Sequence, residues 1–425
     1  MTASPSTQQI NQDNELDNPK IYKSVLSGIS WTLVFKGLAL TVLTQPRIKL
    51  MLNICQGNSA KAALYLGRIR AVGALSEFMV GPLFGRLSDK FGRKSIMQTS
   101  MISGFLGNAL IFMFPTSLTA HVVGNIPTIA LDTAFFATMR ASLSDVMSGK
   151  NIAENAFTSM LPAGIAMVMA PAIGGRLNPR AAYLFATVAS LLGYFQVNNL
   201  KETLAMSKRM ELDYSACNPF AFIRLFTGTG KDGRILRTLA SISGIQTLTD
   251  SRLLLDVATL HMRTSLKWNT TTISKHLFFL RAFEMSGAFT AKSTVRNFGR
   301  IGHTHFSHVL KCVGYIVWSN ATSKKSMRIA AVLLMFSFRQ RDGVETMMTE
   351  YGVKEGMGKG QMEAYKMNFR SIFNLIGPLV YARCFALGSS SASNGMLGAG
   401  LPFSAAASFV GLAEMMLLTL PGGLV

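Results

Sequence analysis

Apolar segments of about 20 residues recur along the whole chain, and this recurrence limits the fold more than any other feature. A helix of that length crosses the hydrocarbon core of a bilayer. Two of the segments, 95–114 and 182–200, contain no charged residue. The pattern predicts an all-α membrane protein with twelve transmembrane helices, near 27–46, 66–87, 95–114, 118–140, 158–177, 182–200, 237–257, 271–291, 304–320, 328–347, 366–388 and 401–420.

The second half of the chain carries charges inside its apolar segments. Asp250, Arg252 and Asp256 fall in 237–257, for example. A lipid-facing charge at the bilayer centre costs about 2.5 to 3.5 kcal/mol, so these side chains must face a bundle interior, pair, or lie outside the core. An alternative is that residues 250–350 do not form intact spans. Three pairs have the helical spacing for contact: Arg281 with Glu284, Arg339 with Asp342, and Arg341 with Glu345.

Basic residues outnumber acidic ones by 42 to 21, which gives a formal net charge of +21. In a soluble protein this excess would suggest a nucleic-acid partner. Here the basic residues lie mostly between the apolar segments, where they fix orientation and contact lipid headgroups. We therefore expect a multi-pass protein of the plasma or an organellar membrane, with no nucleic-acid partner.

Six segments, a polar connection and six more segments predict two repeated halves. The predicted divisions are a cytosolic polar N-terminal tail (1–26), an N-terminal six-helix bundle (27–200), a cytosolic central loop (201–236) and a C-terminal six-helix bundle (237–425). The four loops predicted to be cytosolic are rich in Lys and Arg, as the positive-inside rule expects: 86–94, 201–237, 292–300 and 354–366.

The segment "GRLSDKFGRK" (85–94) separates the second and third predicted spans. With Gly85, Asp89, Gly92, Arg93 and Lys94 in place, it resembles the signature loop of the major facilitator superfamily. The resemblance implies that these five residues hold the two halves together in one of the alternating states. On the residues alone, we expect Gly85 to permit a close helix approach and Gly92 to permit a turn. Asp89 can accept hydrogen bonds from basic neighbours or from the N-terminal amides of an opposing helix.

A second resemblance lies in the fifth span, in "GIAMVMAPAIGG" (164–175). Pro171, Gly174 and Gly175 match a run carried by members of the superfamily that exchange substrate for protons, although Ala170 stands where glycine is usual. The resemblance implies antiport. The alternative is helix packing in a membrane, which small residues and a proline-induced bend also favour.

In this superfamily the first, fourth, seventh and tenth helices line the central cavity. The resemblance therefore selects Lys36, Asp132, Asp250, Arg252 and Asp256 as candidate substrate or proton ligands. Asp132 has no charged partner within four residues, and we place Lys36 opposite it. A carboxylate balanced between burial and a cation suits reversible proton binding. The alternatives are a structural hydrogen bond for Asp132, and a static ion pair or snorkelling for Lys36.

Other chemistry is not indicated. The four cysteines are far apart and form no CxxC pair, so structural thiols are expected. His303, His305 and His308 lie at a predicted helix start and are expected to lack an acidic or thiol partner, so we predict no metal site and no cofactor. The sequence contains no P-loop or hydrolase motif, which argues against an enzyme and against direct ATP use.

The predicted function is secondary active transport of a small solute by alternating access. Proton coupling is expected, with antiport favoured, and the partners are the solute, protons and the lipid bilayer. The alternative is a membrane receptor or scaffold that keeps the transporter fold without transport, which the charges in the second half favour.

Overall fold

The computed structural model describes residues 19–146, 152–211, 218–337, 339–390 and 398–420. Across these ranges the regular structure is entirely helical, with no strand. The predicted all-α class is confirmed. Most of the predicted N-terminal tail lies outside the described residues.

The chain divides into two compact units. The first comprises Met1–Pro46 and Ser76–Asn218. Its helices are α1 (Pro19–Thr41), the second part of α3 (Ser59–Phe91), α4 (Arg93–Met113), α5 (Leu118–Val146), α6 (Ile152–Arg176) and α7 (Pro179–Asn199).

Within the first unit, α1 packs on α6 and α7, and α4 packs on α5 and α7. The core contains Ile29, Met101, Phe135 and Val197, which are fully buried. In a bilayer such a core is stabilised by close packing more than by exclusion of water, because the surrounding lipid is equally apolar. Helix α7 begins with a strong local signal: Asn178 caps it by accepting a hydrogen bond from the backbone N–H of Ala181 at 2.6 Å.

The second unit comprises Arg47–Leu75 and Pro219–Val425. The short helix α2 (Thr44–Ile54) and the first part of α3 belong mainly to it. Its other helices are α8 (Gly230–Leu248), α9 (Ser251–Thr264), α10 (Thr270–Ser319), α11 (Lys324–Met335), α12 (Arg341–Lys354), α13 (Lys359–Ser390) and α14 (Leu401–Leu418).

Two spans expected to be continuous are broken. The segment 237–257 is divided between α8 and α9, and 328–347 is divided between α11 and α12. The first break occurs because the Asp250 side chain accepts the backbone N–H of Arg252 at 3.0 Å and so starts a new helix.

Conversely, 271–291 and 304–320 are joined in α10, which kinks at Gly299, where φ is 69°. The charged region 250–350 is therefore helical over most of its described length.

Within the described ranges, five helical segments are long and apolar enough to cross a membrane by themselves. The count of twelve spans stays a prediction, as do the domain boundaries at 200 and 236. The described residues of the predicted central loop include the 3-10 helices Met206–Lys208 and Pro219–Phe226, and α8 begins at Gly230. The five segments are Ser24–Ile54, Arg93–Met113, Leu118–Asp145, Gln361–Ser390 and Leu401–Leu418.

Candidate functional site

An ion pair lies inside the first unit, between α1 and α5. The ammonium Nζ of Lys36 is 2.7 Å from Oδ1 of Asp132. The same ammonium donates a hydrogen bond to Oγ of Ser100 on α4 at 3.0 Å and lies 5.2 Å from the centroid of the Phe135 ring. The structure thus brings together the two residues that the sequence placed opposite each other.

The two partners differ in their access to the surroundings. The Lys36 side chain is 3% exposed, whereas that of Asp132 is 23% exposed. Lys36 is placed by a helix whose neighbouring residues form the core, so its charge needs a partner inside the protein. Asp132 is the more exposed of the two partners. A role of Lys36 and Asp132 in binding substrate or protons stays a prediction.

The segment 85–94 forms a tight junction between α3 and α4. The Arg93 guanidinium contacts the carboxylates of Asp89 at 2.5 Å and Asp145 at 3.2 Å. The expectation that Asp89 accepts from a basic neighbour is confirmed. Gly92 makes the turn with φ of 99°. Gly85 behaves differently from expectation, because a Cβ added there meets no described atom within 4 Å and no close helix approach occurs.

The start of α4 is capped by an acid that the sequence analysis did not single out. Glu202 accepts the backbone N–H groups of Arg93 and Lys94 at 3.0 and 3.2 Å. The Lys94 ammonium donates to the Asn198 carbonyl at the end of α7 at 2.5 Å. Glu202, and not Asp89, thus binds the free amides at this helix start. The sequence indicated this role only through a single acid, Glu202, that stands close after the last apolar residues of the sixth span. The role of the segment as a latch stays a prediction.

The fifth-helix run lies near the end of α6. A Cβ added at Gly174 would stand 1.8 Å from the carbonyl oxygen of Val42, so the two backbones touch there. Pro171 lies inside the helix, three residues earlier. This contact accounts for the small residue at 174 by packing, and the antiport role of Pro171, Gly174 and Gly175 stays a prediction.

The three other candidate ligands lie in the second unit and are engaged in ion pairs. Asp250 binds Arg252 at 2.9 Å. Asp256 is 5% exposed and lies between the guanidinium groups of Arg47 and Arg70, each at 2.5 Å. A role for Asp250, Arg252 and Asp256 in binding substrate or protons stays a prediction.

Two of the three ion pairs expected from helical spacing are present. Arg281 binds Glu284 at 2.6 Å, and Arg339 binds Asp342 at 3.0 Å. The third expectation is wrong. Arg341 binds Asp250 at 3.2 Å, and Glu345 binds Arg370 at 2.8 Å, because tertiary partners lie closer than the neighbour on the same helix.

The histidines of α10 have an acidic partner that is distant in sequence. Nδ1 of His305 and Nδ1 of His308 lie 2.5 and 2.7 Å from the two carboxylate oxygens of Glu414 on α14. Nε2 of His308 lies 2.9 Å from the amide nitrogen of Gln246 on α8. His303 instead contacts Oγ1 of Thr294 at 2.7 Å. The expectation that these histidines lack an acidic partner is therefore wrong for two of them.

Known proteins resemble this chain in sequence and in structure. No protein-family profile matches it. The tetracycline resistance protein, class C, of Escherichia coli is 24% identical over 347 residues, covering 80% of this chain and 84% of that protein. The human organic anion transporter MFSD10 (TETRAN) has a TM-score of 0.67 at 17% identity over 93% of this chain and 99% of its own. A D-xylose-proton symporter has a TM-score of 0.68 at 14% identity, over 92% and 97%.

The chain has the all-helical fold of major facilitator transporters, which are multi-pass integral membrane proteins. Within that class the chain resembles the tetracycline resistance proteins. The predicted resemblance of the chain to the superfamily is thereby confirmed, while the roles of the signature loop and the fifth-helix run stay predictions.

Proposed function

We propose that this protein moves a small solute across the membrane by alternating access, coupled to protons, with antiport as the favoured direction of coupling. The observation that carries the proposal is the buried Lys36–Asp132 ion pair. A charged pair inside an apolar bundle is retained at a cost in stability, which favours a functional role.

Protonation of Asp132 is the coupling step in this proposal. A neutral Asp132 no longer compensates the Lys36 ammonium, whose other partners among the described residues are the Ser100 hydroxyl and the face of the Phe135 ring. The buried cation then favours a rearrangement or an incoming group that restores its balance. Loss of the proton rebuilds the pair, so proton binding and solute binding are linked through one carboxylate.

Antiport is supported by two observations. The Pro171, Gly174 and Gly175 run resembles that of proton-exchanging members of the superfamily. The sequence relatives include tetracycline resistance proteins. The names of these relatives and of the structural neighbours provide a test panel: tetracycline, organic anions, xylose and nucleosides.

The test is proton movement in proteoliposomes driven by each member of the panel. Wild-type protein should show proton flux with at least one solute, and Asp132→Asn should abolish the flux while solute binding persists. Glu77→Gln is a matched control, because Glu77 is a buried carboxylate that accepts a hydrogen bond from Thr133, the neighbour of Asp132. This control should keep the coupled flux.

Each possible result distinguishes proton-coupled transport through Asp132 from one of its alternatives. Solute movement without proton flux in the wild type would remove the proton coupling and leave a uniporter. Equal coupled flux in Asp132→Asn and wild type would remove Asp132 from the mechanism. No movement of any panel member by folded, inserted protein would favour the receptor or scaffold.

A further inference from the structure

Two helix breaks lie side by side in the second unit. The break between α8 and α9 contains Thr249 and Asp250, and the break before α12 ends at Gln340. The Gln340 amide donates to the Thr249 hydroxyl at 3.2 Å, and the Arg341 guanidinium donates to the Asp250 carboxylate at 3.2 Å. The N-terminal ends of α9 and α12 therefore meet. Both ends carry partial positive charge from their free N–H groups.

The break between α8 and α9 is supported by two buried tyrosines. The Tyr315 hydroxyl donates to the carbonyl of Thr249 at 2.7 Å, and the Tyr381 hydroxyl donates to the carbonyl of Leu248 at 2.6 Å. Both tyrosine side chains are 0% exposed. These bonds satisfy carbonyls that the end of α8 leaves free. The interruption is thus a fixed feature of the bundle and positions the residues around it.

Lys311 lies one helical turn before Tyr315 on α10 and is 7% exposed. Among the described residues its ammonium forms no ion pair and no hydrogen bond, and its contact is with the Tyr315 ring, 6.0 Å from the centroid. The charges that act on it belong to Asp250, Glu284 and Arg341. Lysine is rarely buried to this degree without a partner.

The two nearby carboxylates already have cations of their own. Asp250 binds Arg252 and Arg341, and Glu284 binds Arg281 at 2.6 Å. The group therefore contains four cations and two carboxylates, an excess of two positive charges, and Lys311 is the cation of this group that forms no ion pair among the described residues. A buried ammonium is stable when an anion compensates it. Such an anion is absent from the side chains of this group.

We infer that Lys311 and Arg341 form a binding site for the carboxylate of a small organic anion, at the paired N-termini of α9 and α12. The inference rests on the proposed transport function, since it names the chemical class of the solute. The Arg341 side chain is 23% exposed, and its contact with Asp250 involves Nη2. The other N–H groups of its planar guanidinium can therefore face a ligand. A planar carboxylate has two oxygens, so one can bind the Arg341 guanidinium and the other the Lys311 ammonium.

Ligand protection of the purified full-length protein tests the site without any transport measurement. The probes are sodium acetate, benzoate and glutarate, each compared with sodium chloride at equal ionic strength, and benzoate also with benzyl alcohol. At least one carboxylate should raise the midpoint of thermal unfolding in a saturable way. Lys311→Gln should raise the half-saturating concentration at least about tenfold, because a hydrogen bond to a charged group is lost.

Two further variants control this result. Lys325→Gln removes an exposed lysine of the same unit and should bind as wild type. Lys311→Arg keeps the charge and should retain protection, which also covers the case in which Lys311→Gln does not fold. Protection that is unchanged in Lys311→Gln, protection by chloride as strong as by any carboxylate, or no protection by the three probes would each overturn the inference.

The two proposals fail separately. Carboxylate binding that depends on Lys311, together with no proton flux, would remove the coupling through Asp132 and keep this site. Proton-coupled transport of a neutral or cationic solute, without carboxylate protection, would remove this site and keep the proposed function.

Discussion

Glu202 lies so close to Gly92 that a Cβ atom added at residue 92 would stand 2.2 Å from its carboxylate oxygen Oε2. The same carboxylate binds the first two backbone amides of α4. Gly92 adopts φ of 99° and ψ of 160°, which side chains rarely permit. Glu202 therefore caps the start of α4, and its carboxylate lies so close to residue 92 that only glycine fits there.

Gly92→Ala should destabilise the first unit. Backbone strain alone costs about 1 to 3 kcal/mol, and displacement of Glu202 adds the loss of a helix cap, about 1 kcal/mol. Thermal unfolding in detergent measures the effect. Gly81→Ala is the control, since a Cβ there meets no described atom within 4 Å and alanine favours a helix. Equal midpoints for Gly92→Ala and Gly81→Ala would contradict the described turn.

The carboxylate of Asp256 compensates two arginines, and Asp256→Asn should be costly. Both guanidinium groups lose the charge that faces them, while the side chain keeps its size. The expected loss is about 3 kcal/mol, at the low end for a buried pair because Arg47 and Arg70 are partly exposed. Chemical unfolding measures it.

Asp342→Asn is the matched control for that measurement. Asp342 is 55% exposed and binds the exposed Arg339, so its removal should cost less than about 1 kcal/mol. Similar losses for the two variants would mean that Asp256 is not the shared partner of the arginines. Arg70→Gln combined with Asp256→Asn should cost less than the sum of the single changes.

Sequence patterns predicted the helices well where the apolar segments are free of charge. The segments 95–114 and 182–200 correspond to α4 and α7 within a few residues. The Lys36–Asp132 contact was also predictable, because two charges in apolar helices have few other partners. Both results follow from the same cost of burying an uncompensated charge.

The helix breaks were missed because a hydropathy window averages over them. The local signal was present at the first break, where the Thr-Asp-Ser run at 249–251 is typical of a helix start. Glu202 and Glu414 could not be assigned, since their partners are distant in sequence and follow from packing. Lys311, like Asp132, is a single charge in an apolar segment, but the sequence analysis did not select it as a candidate ligand.

Gly174→Ala should separate α6 from the end of α1. The added methyl group would overlap the Val42 carbonyl oxygen, which belongs to the backbone and cannot rotate away. Overpacking of this kind costs about 1 to 3 kcal/mol. Gly411→Ala in α14 is the control, because a Cβ there meets no described atom within 4 Å. Thermal unfolding should separate the two variants, and a Gly174→Ala protein as stable as wild type would contradict the backbone contact.

The Lys36–Asp132 pair allows structural and functional roles to be separated by a double-mutant cycle. Asp132→Asn leaves the buried Lys36 ammonium uncompensated and should cost about 3 kcal/mol, whereas Lys36→Gln leaves the partly exposed Asp132 carboxylate and should cost less. The double variant removes both charges and should recover most of that stability. Proton-coupled flux should stay absent in the double variant, because the Asp132 carboxylate that carries the proton in this proposal is missing. Recovery of both stability and coupled flux would mean that the pair is structural and that another group couples transport to protons.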